Sequence, residues 1–224
     1  MLDEPDVALL YDSGISSSSF GAARFVLDSL EFDVDVLNYD DVKEGVLHAY
    51  DIVIVPDGWY EDIWDGLGAD GQYELRSFIE AGGTFLGYGE GGGALVNEAE
   101  FINATAYLSE WYGGYNNGIV RVEYDPDDPV SAYYPEEGYA FVFFPVWFEA
   151  EEGVEAPAKY AEEDLLVAGW WPYYDVTAAG FDAVVRGEYG DGNVILMGIQ
   201  PMFRAHTEFT FRLVANSIFF AAQA

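Results

Sequence analysis

Three side chains capable of acid–base chemistry, Glu90, His206 and Glu208, follow apolar runs that end in turns. A carboxylate two residues from a histidine can orient the imidazole as a general base, and a second carboxyl group can act as an acid. The chain contains no cysteine, so thiol chemistry is excluded. One interpretation is therefore a hydrolase that uses Glu90 or His206, and it requires these two side chains to converge within hydrogen-bond reach.

A structural interpretation of the same histidine segment competes with the catalytic one. Residues 207–222 have the apolar spacing of a helix, and acidic residues in a first turn suit the helix dipole. His206 and Glu208 would then cap this helix, with Thr207 or His206 near its cap. Because no nucleophile accompanies the pair, we favour the capping interpretation and assign no catalytic residue.

Two loops have compositions that are found in cofactor sites. Residues 87–92 read Gly-Tyr-Gly-Glu-Gly-Gly, which satisfies a dinucleotide-binding pattern, although Glu90 would point a charge at the phosphates. Residues 12–19 carry five serines after the first apolar run, as in the phosphate loop of a flavodoxin-like flavin binder. Tight-turn glycines and a serine N-cap explain both loops more simply. We therefore expect no cofactor, with flavin binding as the alternative.

Two further groups of charged residues have structural explanations that we prefer. Asp125, Asp127 and Asp128 are rich in oxygen ligands, but they do not fit the EF-hand spacing, and we predict no metal site. Arg204 could bind a carboxylate in a cleft, but an internal acidic partner is the expected role.

The elements that must position these residues alternate between strands and helices. Residues 7–11, 51–56 and 84–88 are short apolar or β-branched runs, and residues 32–37 alternate as an edge strand would. Helical spacing connects Phe20, Ala23, Phe25, Val26 and Leu30. It also places Leu75, Phe78 and Ile79 on the inner face of a helix over residues 73–81, which ends at a Gly-Gly pair. This order predicts an α/β sandwich of three layers with a mostly parallel sheet.

The alternation fails between about residues 101 and 163, where aromatic residues are frequent. We interpret this stretch as an irregular, β-rich insertion. Residues 183–189 and 193–197 resume the core as a hairpin around a Gly-Asp-Gly turn. We treat residues 1–224 as a single domain, because α/β units often reach this length.

The organisation resembles the class I glutamine amidotransferase superfamily. Residues 56–58 read Pro-Asp-Gly where that superfamily carries a Pro-Gly-Gly turn, and residues 75–89 resemble its helix, strand and nucleophile elbow. Catalytic members place cysteine in the centre of the elbow, and Gly89 stands there in this chain. The resemblance therefore implies a flavodoxin-like fold without the amidotransferase nucleophile.

The end of the chain is similar to the amidotransferase-like domain attached to some zinc carboxypeptidases. Residues 201–204 read Pro-Met-Phe-Arg before a helix like that of residues 211–218, and residues 128–148 and 167–170 also resemble that group. The resemblance implies a non-catalytic accessory or binding domain whose partner is a carboxypeptidase domain, or a small-molecule or peptide ligand. We expect the ligand cleft at the carboxyl ends of the strands. Its predicted residues are Asp57, Gly58, Gly89, Glu90, Arg204, His206 and Glu208.

Charge is the strongest compositional signal. Asp and Glu number 41 against 8 Lys and Arg, which gives a formal net charge of −33, while 51% of residues are hydrophobic. The hydrophobic content predicts a folded chain rather than a disordered one. Concentrated salt reduces the Debye length to about 3 Å at 1 M, which relieves such self-repulsion. We therefore predict adaptation to a high-salt environment.

The same charge disfavours binding to nucleic acid and to anionic membranes, both of which need clustered Lys and Arg. No apolar run reaches about 18 residues, and the N-terminal residues lack a signal-peptide pattern. We expect a soluble protein, extracellular if the chain is attached to a secreted peptidase. The sequence leaves the oligomeric state open.

Overall fold

A computed structural model describes residues 5–109 and 116–223. The described strands form one sheet, with bounds β1 (Val7–Leu10), β2 (Val34–Leu37), β3 (Ile52–Val55), β4 (Thr84–Tyr88), β5 (Ala104–Leu108), β6 (Asn117–Tyr124), β7 (Glu137–Phe143), β8 (Val146–Ala150), β9 (Val154–Tyr160), β10 (Leu166–Trp170), β11 (Asp182–Tyr189) and β12 (Gly192–Met197). The helices are α1 (Ser17–Ser29), α2 (Tyr39–Lys43), α3 (Tyr60–Glu80), α4 (Gly89–Gly93), α5 (Val96–Ala99), α6 (Tyr174–Thr177) and α7 (Phe211–Ala221).

One half of the sheet is parallel. Its order is β12-β4-β3-β1-β2, and every neighbouring pair in it is parallel. Short β-branched runs such as β3 suit this position, because a strand covered on both faces needs apolar side chains in both directions. β2 lies at the edge, as its alternating pattern predicted. The α/β fold expected from the sequence is confirmed.

Helices cover both faces of the parallel half. On one face α1 and α7 bury Ala23, Val26, Leu213 and Ile218 in one hydrophobic cluster. On the other face α2 and α3 contribute a second cluster that includes Val42, Ile63 and Leu67, and the predicted inward residues Leu75, Phe78 and Ile79 are all buried there. Among these described helices none is long and apolar enough to cross a membrane.

Two helix predictions need correction. Phe25 does not face the core: its side chain is 61% exposed, because the buried face of α1 is formed by Ala22, Ala23, Val26 and Leu27. The helix predicted over residues 73–81 begins much earlier, at Tyr60, and breaks at Gly68, whose φ is 59°. A glycine at positive φ allows this break without steric strain, and Gln72 Nε2 donates to the Trp64 carbonyl across it at 2.8 Å.

The aromatic stretch is β-rich, as predicted, and it extends the same sheet rather than forming a layer of its own. β9 pairs with β11, β6 pairs with β9, and β5 is joined through β8. β11 and β12 form the predicted hairpin. β11 is therefore the strand that connects the parallel half to the other half, in which every pair is antiparallel.

The final helix also begins later than predicted. Residues Glu208–Thr210 form a 3₁₀ turn, and α7 begins at Phe211 with Thr210 at its N-cap and no side-chain capping bond. Neither His206 nor Glu208 caps this helix, so that interpretation was wrong. The buried Thr210 hydroxyl bonds the Pro201 and Thr207 carbonyls at 2.8 and 3.0 Å, which holds the preceding residues in a turn.

Candidate functional site

The candidate site lies at the carboxyl edge of the parallel strands. In-register pairing of β3, β4 and β12 brings their ends together, with Val55 beside Gly87 and Met197 beside Tyr88. Ligands of open α/β sheets bind in the crevice outside this edge. The loops that follow these strands contain Asp57, Gly89 and Gln200, which therefore meet although they are distant in sequence.

The turn between β4 and α4 has the geometry of an elbow. Gly89 adopts φ = 66°, and a Cβ on Gly92 would contact the Val55 carbonyl oxygen. A Cβ on Gly91 would lie 2.7 Å from the Pro56 carbonyl oxygen, and Gly92 N–H donates to that same oxygen at 3.1 Å. Close approach of the β3–α3 loop to α4 thus explains these glycines. The dinucleotide pattern needs no ligand to account for it.

The side chain of Asp57 fills the centre of the elbow. A Cβ built on Gly89 would lie 2.5 Å from Asp57 Oδ1 and 2.6 Å from its Cγ, closer than real Cβ atoms approach. Asp57 Oδ1 accepts hydrogen bonds from Glu90 N–H at 2.8 Å and Gly91 N–H at 3.3 Å. The amide after the elbow residue is the donor that stabilises an oxyanion in elbow enzymes. Here that amide donates its hydrogen bond to the Asp57 carboxylate instead.

Asp57 also ties together the loops around the elbow. Gln200 Nε2 donates to Asp57 Oδ2 at 2.7 Å, and the backbone of Asp57 bonds the Ser19 hydroxyl at 3.1 Å and Ser16 N–H at 2.9 Å. Burial raises the pKa of Asp57, and the hydrogen bonds from Gln200 and the elbow amides oppose that rise. One aspartate thus connects the ends of four strands through specific hydrogen bonds.

Gln200 is a site residue that was not predicted from the sequence. Its side chain is buried, and Nε2 bonds both Asp57 and the Phe143 carbonyl, the latter at 3.3 Å. The available signal was its place as the first polar residue after the apolar β12 run. A buried amide at a strand end must have partners, but the sequence does not say which ones.

Glu90 lies beside Asp57 with a different environment. Its side chain is half-buried, and its carboxyl group makes no hydrogen bond to any described residue. Burial, with contributions from the Asp57 and Glu61 charges, raises the pKa of Glu90 to about 7. A carboxyl group that titrates near neutrality can exchange protons under physiological conditions. Glu90 is therefore a predicted acid–base residue whose environment favours the protonated form.

The structure does not pair the three predicted residues near the C-terminal helix with Glu90 or with each other. His206 is exposed, with its ring edge-on to Phe141 at 5.8 Å, and within residues 5–109 and 116–223 it forms no ion pair or hydrogen bond with Glu90 or Glu208. Arg204 stacks over the Phe203 ring at 5.2 Å and has no acidic partner in the described chain, contrary to expectation. An exposed guanidinium can lie on an aromatic face without burying its charge.

The serine loop serves α1 and the elbow. Ser16 is the N-cap of α1, with Oγ accepting from Ser19 N–H at 3.4 Å, so the predicted serine cap is confirmed. Ser19 Oγ bonds the buried Tyr88 hydroxyl at 3.1 Å and accepts from Asp57 N–H. These hydroxyls therefore have internal partners in the positions that a phosphate loop would offer to a ligand.

The side chain of Asp128 in the acidic turn of residues 125–128 is used in internal contacts. Asp128, from the acidic turn, pairs with Arg186 at 2.8 Å, and its Oδ1 accepts from Val130 N–H. In the part of the chain that the structure describes, no group of three or more His, Cys, Asp or Glu side chains could hold a metal ion.

No protein-family model matches the sequence, and no curated protein matches it. Solved structures do resemble it. The PurLQS structure from Thermotoga maritima has a TM-score of 0.69 at 16% identity, covering 96% of this chain and 98% of that one. A glutamine amidotransferase from the same organism has a TM-score of 0.62 at 11% identity, and the match covers 99% of this chain and 100% of that one. A β-galactosidase from Bacillus circulans sp. alkalophilus has a TM-score of 0.57 at 16% identity, and the match covers 96% of this chain and 30% of that one.

These identities are too low to carry activity, substrate or partner from one protein to another, because one fold serves many functions. The full-length coverage and the elbow after β4 agree on the architecture. The chain has the glutamine amidotransferase-like fold.

Proposed function

We propose that this chain is a non-catalytic amidotransferase-like domain that acts as an accessory or binding module. The observation that carries the proposal is the occupied elbow. Gly89 supplies no nucleophile, and the Asp57 carboxylate takes the space and the amide donors that an acyl intermediate would use. Loss of the nucleophile alone would leave an open hole, whereas a filled hole favours a role without acyl transfer.

The accessory role has separate support. The β-galactosidase match spans 30% of that enzyme's chain, which is an instance of this fold inside a larger enzyme. The Pro-Met-Phe-Arg turn of residues 201–204 resembles the domain attached to zinc carboxypeptidases. We therefore propose a zinc carboxypeptidase as the associated enzyme, with a small molecule or peptide as the alternative ligand at the strand ends near Asp57 and Glu90. A reading frame that encodes such a peptidase domain next to this segment would support the association, and a clearly different neighbour would contradict it.

Adaptation to high salt is the third part of the proposal. The net charge of −33 is supported by the way the few cations are used. In the described residues Arg24, Lys43, Lys159 and Arg186 form ion pairs, whereas Arg76, Arg121, Arg204 and Arg212 lie over aromatic rings. Most acidic side chains therefore lack a cationic partner and depend on dissolved ions for screening.

The occupied elbow is tested by introducing a cysteine at position 89 and by removing the Asp57 side chain. The variants are Gly89→Cys, Asp57→Gly and the double variant, assayed for ammonia release from glutamine and for reaction of the thiol with a disulfide reagent. We expect no ammonia from the wild-type protein. The thiol of Gly89→Cys should react slowly or destabilise the fold, because Asp57 stands 2.5 Å from the new Cβ. In the double variant the thiol should react at least about tenfold faster, since access controls exchange.

Asp57→Gly alone controls for loosening of the loops, which circular dichroism and urea unfolding would detect. Glutamine hydrolysis by the wild-type protein would overturn the proposal. Equal thiol reactivity in the single and double cysteine variants would show that Asp57 does not block the elbow.

A hydrolase that uses Glu90 is the second candidate, favoured by the pKa of about 7 at this half-buried carboxyl group. It predicts hydrolysis of a peptide or ester substrate with a pH dependence near neutrality, abolished by Glu90→Gln. The same activity in Glu90→Gln and wild type would assign it to a contaminant or another site.

A further inference from the structure

β10 ends the antiparallel half of the sheet, and its outer edge has no partner strand among the described residues. Its backbone pairs with β6 on the inner side, through Gly169 with Gly118 and Trp170 with Asn117. In the described parts of the chain no other residue bonds the backbone of residues 166–170. Val167 is 46% exposed and Trp170 is 49% exposed, so this part of the strand is accessible to a partner.

Charge distinguishes this edge from the opposite one. Residues 165–174 contain no charged side chain, although the whole chain carries 41 acidic residues. β2, at the other end of the sheet, exposes Val36 to a similar extent, 44%, but it also carries Asp35 and follows Asp33. Charged side chains are a usual protection of a free edge against strand pairing. The protection is present at β2 and missing at β10.

We propose that the outer edge of β10 is a self-association surface, where a second copy of this chain adds its own β10 in antiparallel orientation. A second copy carries a charge of −33 as well, so two copies can approach closely only through surfaces without acidic groups. β10 is such a surface on both partners. A two-fold axis makes the contact self-complementary and closed.

The residues that flank β10 favour the antiparallel orientation. Residues 162–164 read Glu-Glu-Asp before the strand, whereas residues 171–174 after it are uncharged. In an antiparallel pair the acidic start of each strand lies beside the neutral end of the other, and in a parallel pair the acidic starts would face each other. Beyond the pairing irregularity between Leu166 and Ala168, residues 168–170 pair with β6 in continuous register, with Gly169 at φ = 115°. Val167 supplies an apolar contact.

Salt should control this association. The summed charges of two copies oppose it in dilute buffer, and screening at high ionic strength removes most of that opposition while leaving apolar contacts intact. The expected result is a monomer in about 0.2 M KCl and a dimer in about 2 M KCl, measured by analytical ultracentrifugation of the whole chain.

The test compares Val167→Glu with Val36→Glu, two equally exposed valines on opposite edge strands. At high salt Val167→Glu should weaken dimerisation by about tenfold or more, because it buries an unpaired charge in the contact. Val36→Glu should dimerise like the wild type, and urea unfolding should show that both variants fold.

Three outcomes would overturn the proposal. These are a wild-type protein that stays monomeric at every salt concentration, equal weakening by both valine variants, and growth into open-ended assemblies instead of a dimer.

Discussion

Replacing Glu90 by glutamine should stabilise the protein above neutral pH. The folded-state pKa of Glu90, about 7, lies above its ordinary value of 4.5, chiefly because burial disfavours the charged form. The folded state therefore binds this proton more tightly than the unfolded state does. The contribution of this bound proton to the free energy of unfolding is fully present below about pH 4.5 and is lost as pH rises through about 7. Above that range the ionised carboxylate destabilises the fold.

The magnitude follows from the size of the shift. A rise from 4.5 to about 7 corresponds to about 3.4 kcal/mol at about 1.36 kcal/mol per unit. Because the Glu90 side chain is only half-buried, solvent screening reduces this upper value to about 1–2 kcal/mol. Urea unfolding at pH 8.5 should therefore give Glu90→Gln a free energy of unfolding about 1–2 kcal/mol above the wild type. The difference should vanish near pH 4.5.

Glu61→Gln is the matched control, because it removes one negative charge from the same region at an exposed position. An increase in the free energy of unfolding that comes only from the lower net charge would appear in both variants and would disappear in concentrated KCl. A gain from desolvation should be specific to Glu90→Gln and should persist at about 2 M KCl, since salt does not rehydrate a buried group. Equal gains in both variants, or a gain that salt abolishes, would refute the reasoning.

Two further predictions concern stability. The free energy of unfolding should increase steadily from dilute buffer to molar KCl, since the net charge is −33, and a flat or falling curve would contradict adaptation to high salt. Arg186→Met should destabilise the fold by about 3–5 kcal/mol, because Asp128, whose side chain is only 5% exposed, would lose its partner. The double variant Arg186→Met/Asp128→Asn should recover part of that loss in the same unfolding assay, since asparagine keeps the Val130 contact without the charge. No recovery would mean that the arginine stabilises the fold through its contact with Phe220.

Hydrophobic spacing predicted the parallel strands well, because a strand covered on both faces must be apolar throughout. It was less reliable for helices. Phe25 fits the periodicity of α1 but is exposed. At the start of α3, Tyr60, Ile63, Trp64 and Leu67 do have helical spacing, but the helix was predicted only from residue 73 onward. The start of α7 was placed too early because the residues that fold 207–210 into a turn include Pro201, which no local pattern connects to Thr210.

The sequence by itself determined that the elbow has no nucleophile, since Gly89 has no side chain, and that the protein carries a large negative charge. Only the tertiary structure decided that Asp57 fills the elbow and that Gln200, 143 residues away, holds its second oxygen. The physical reason is that these contacts depend on the register of β3, β4 and β12. Side chains that meet only after three strands have paired leave no periodic signal in the sequence.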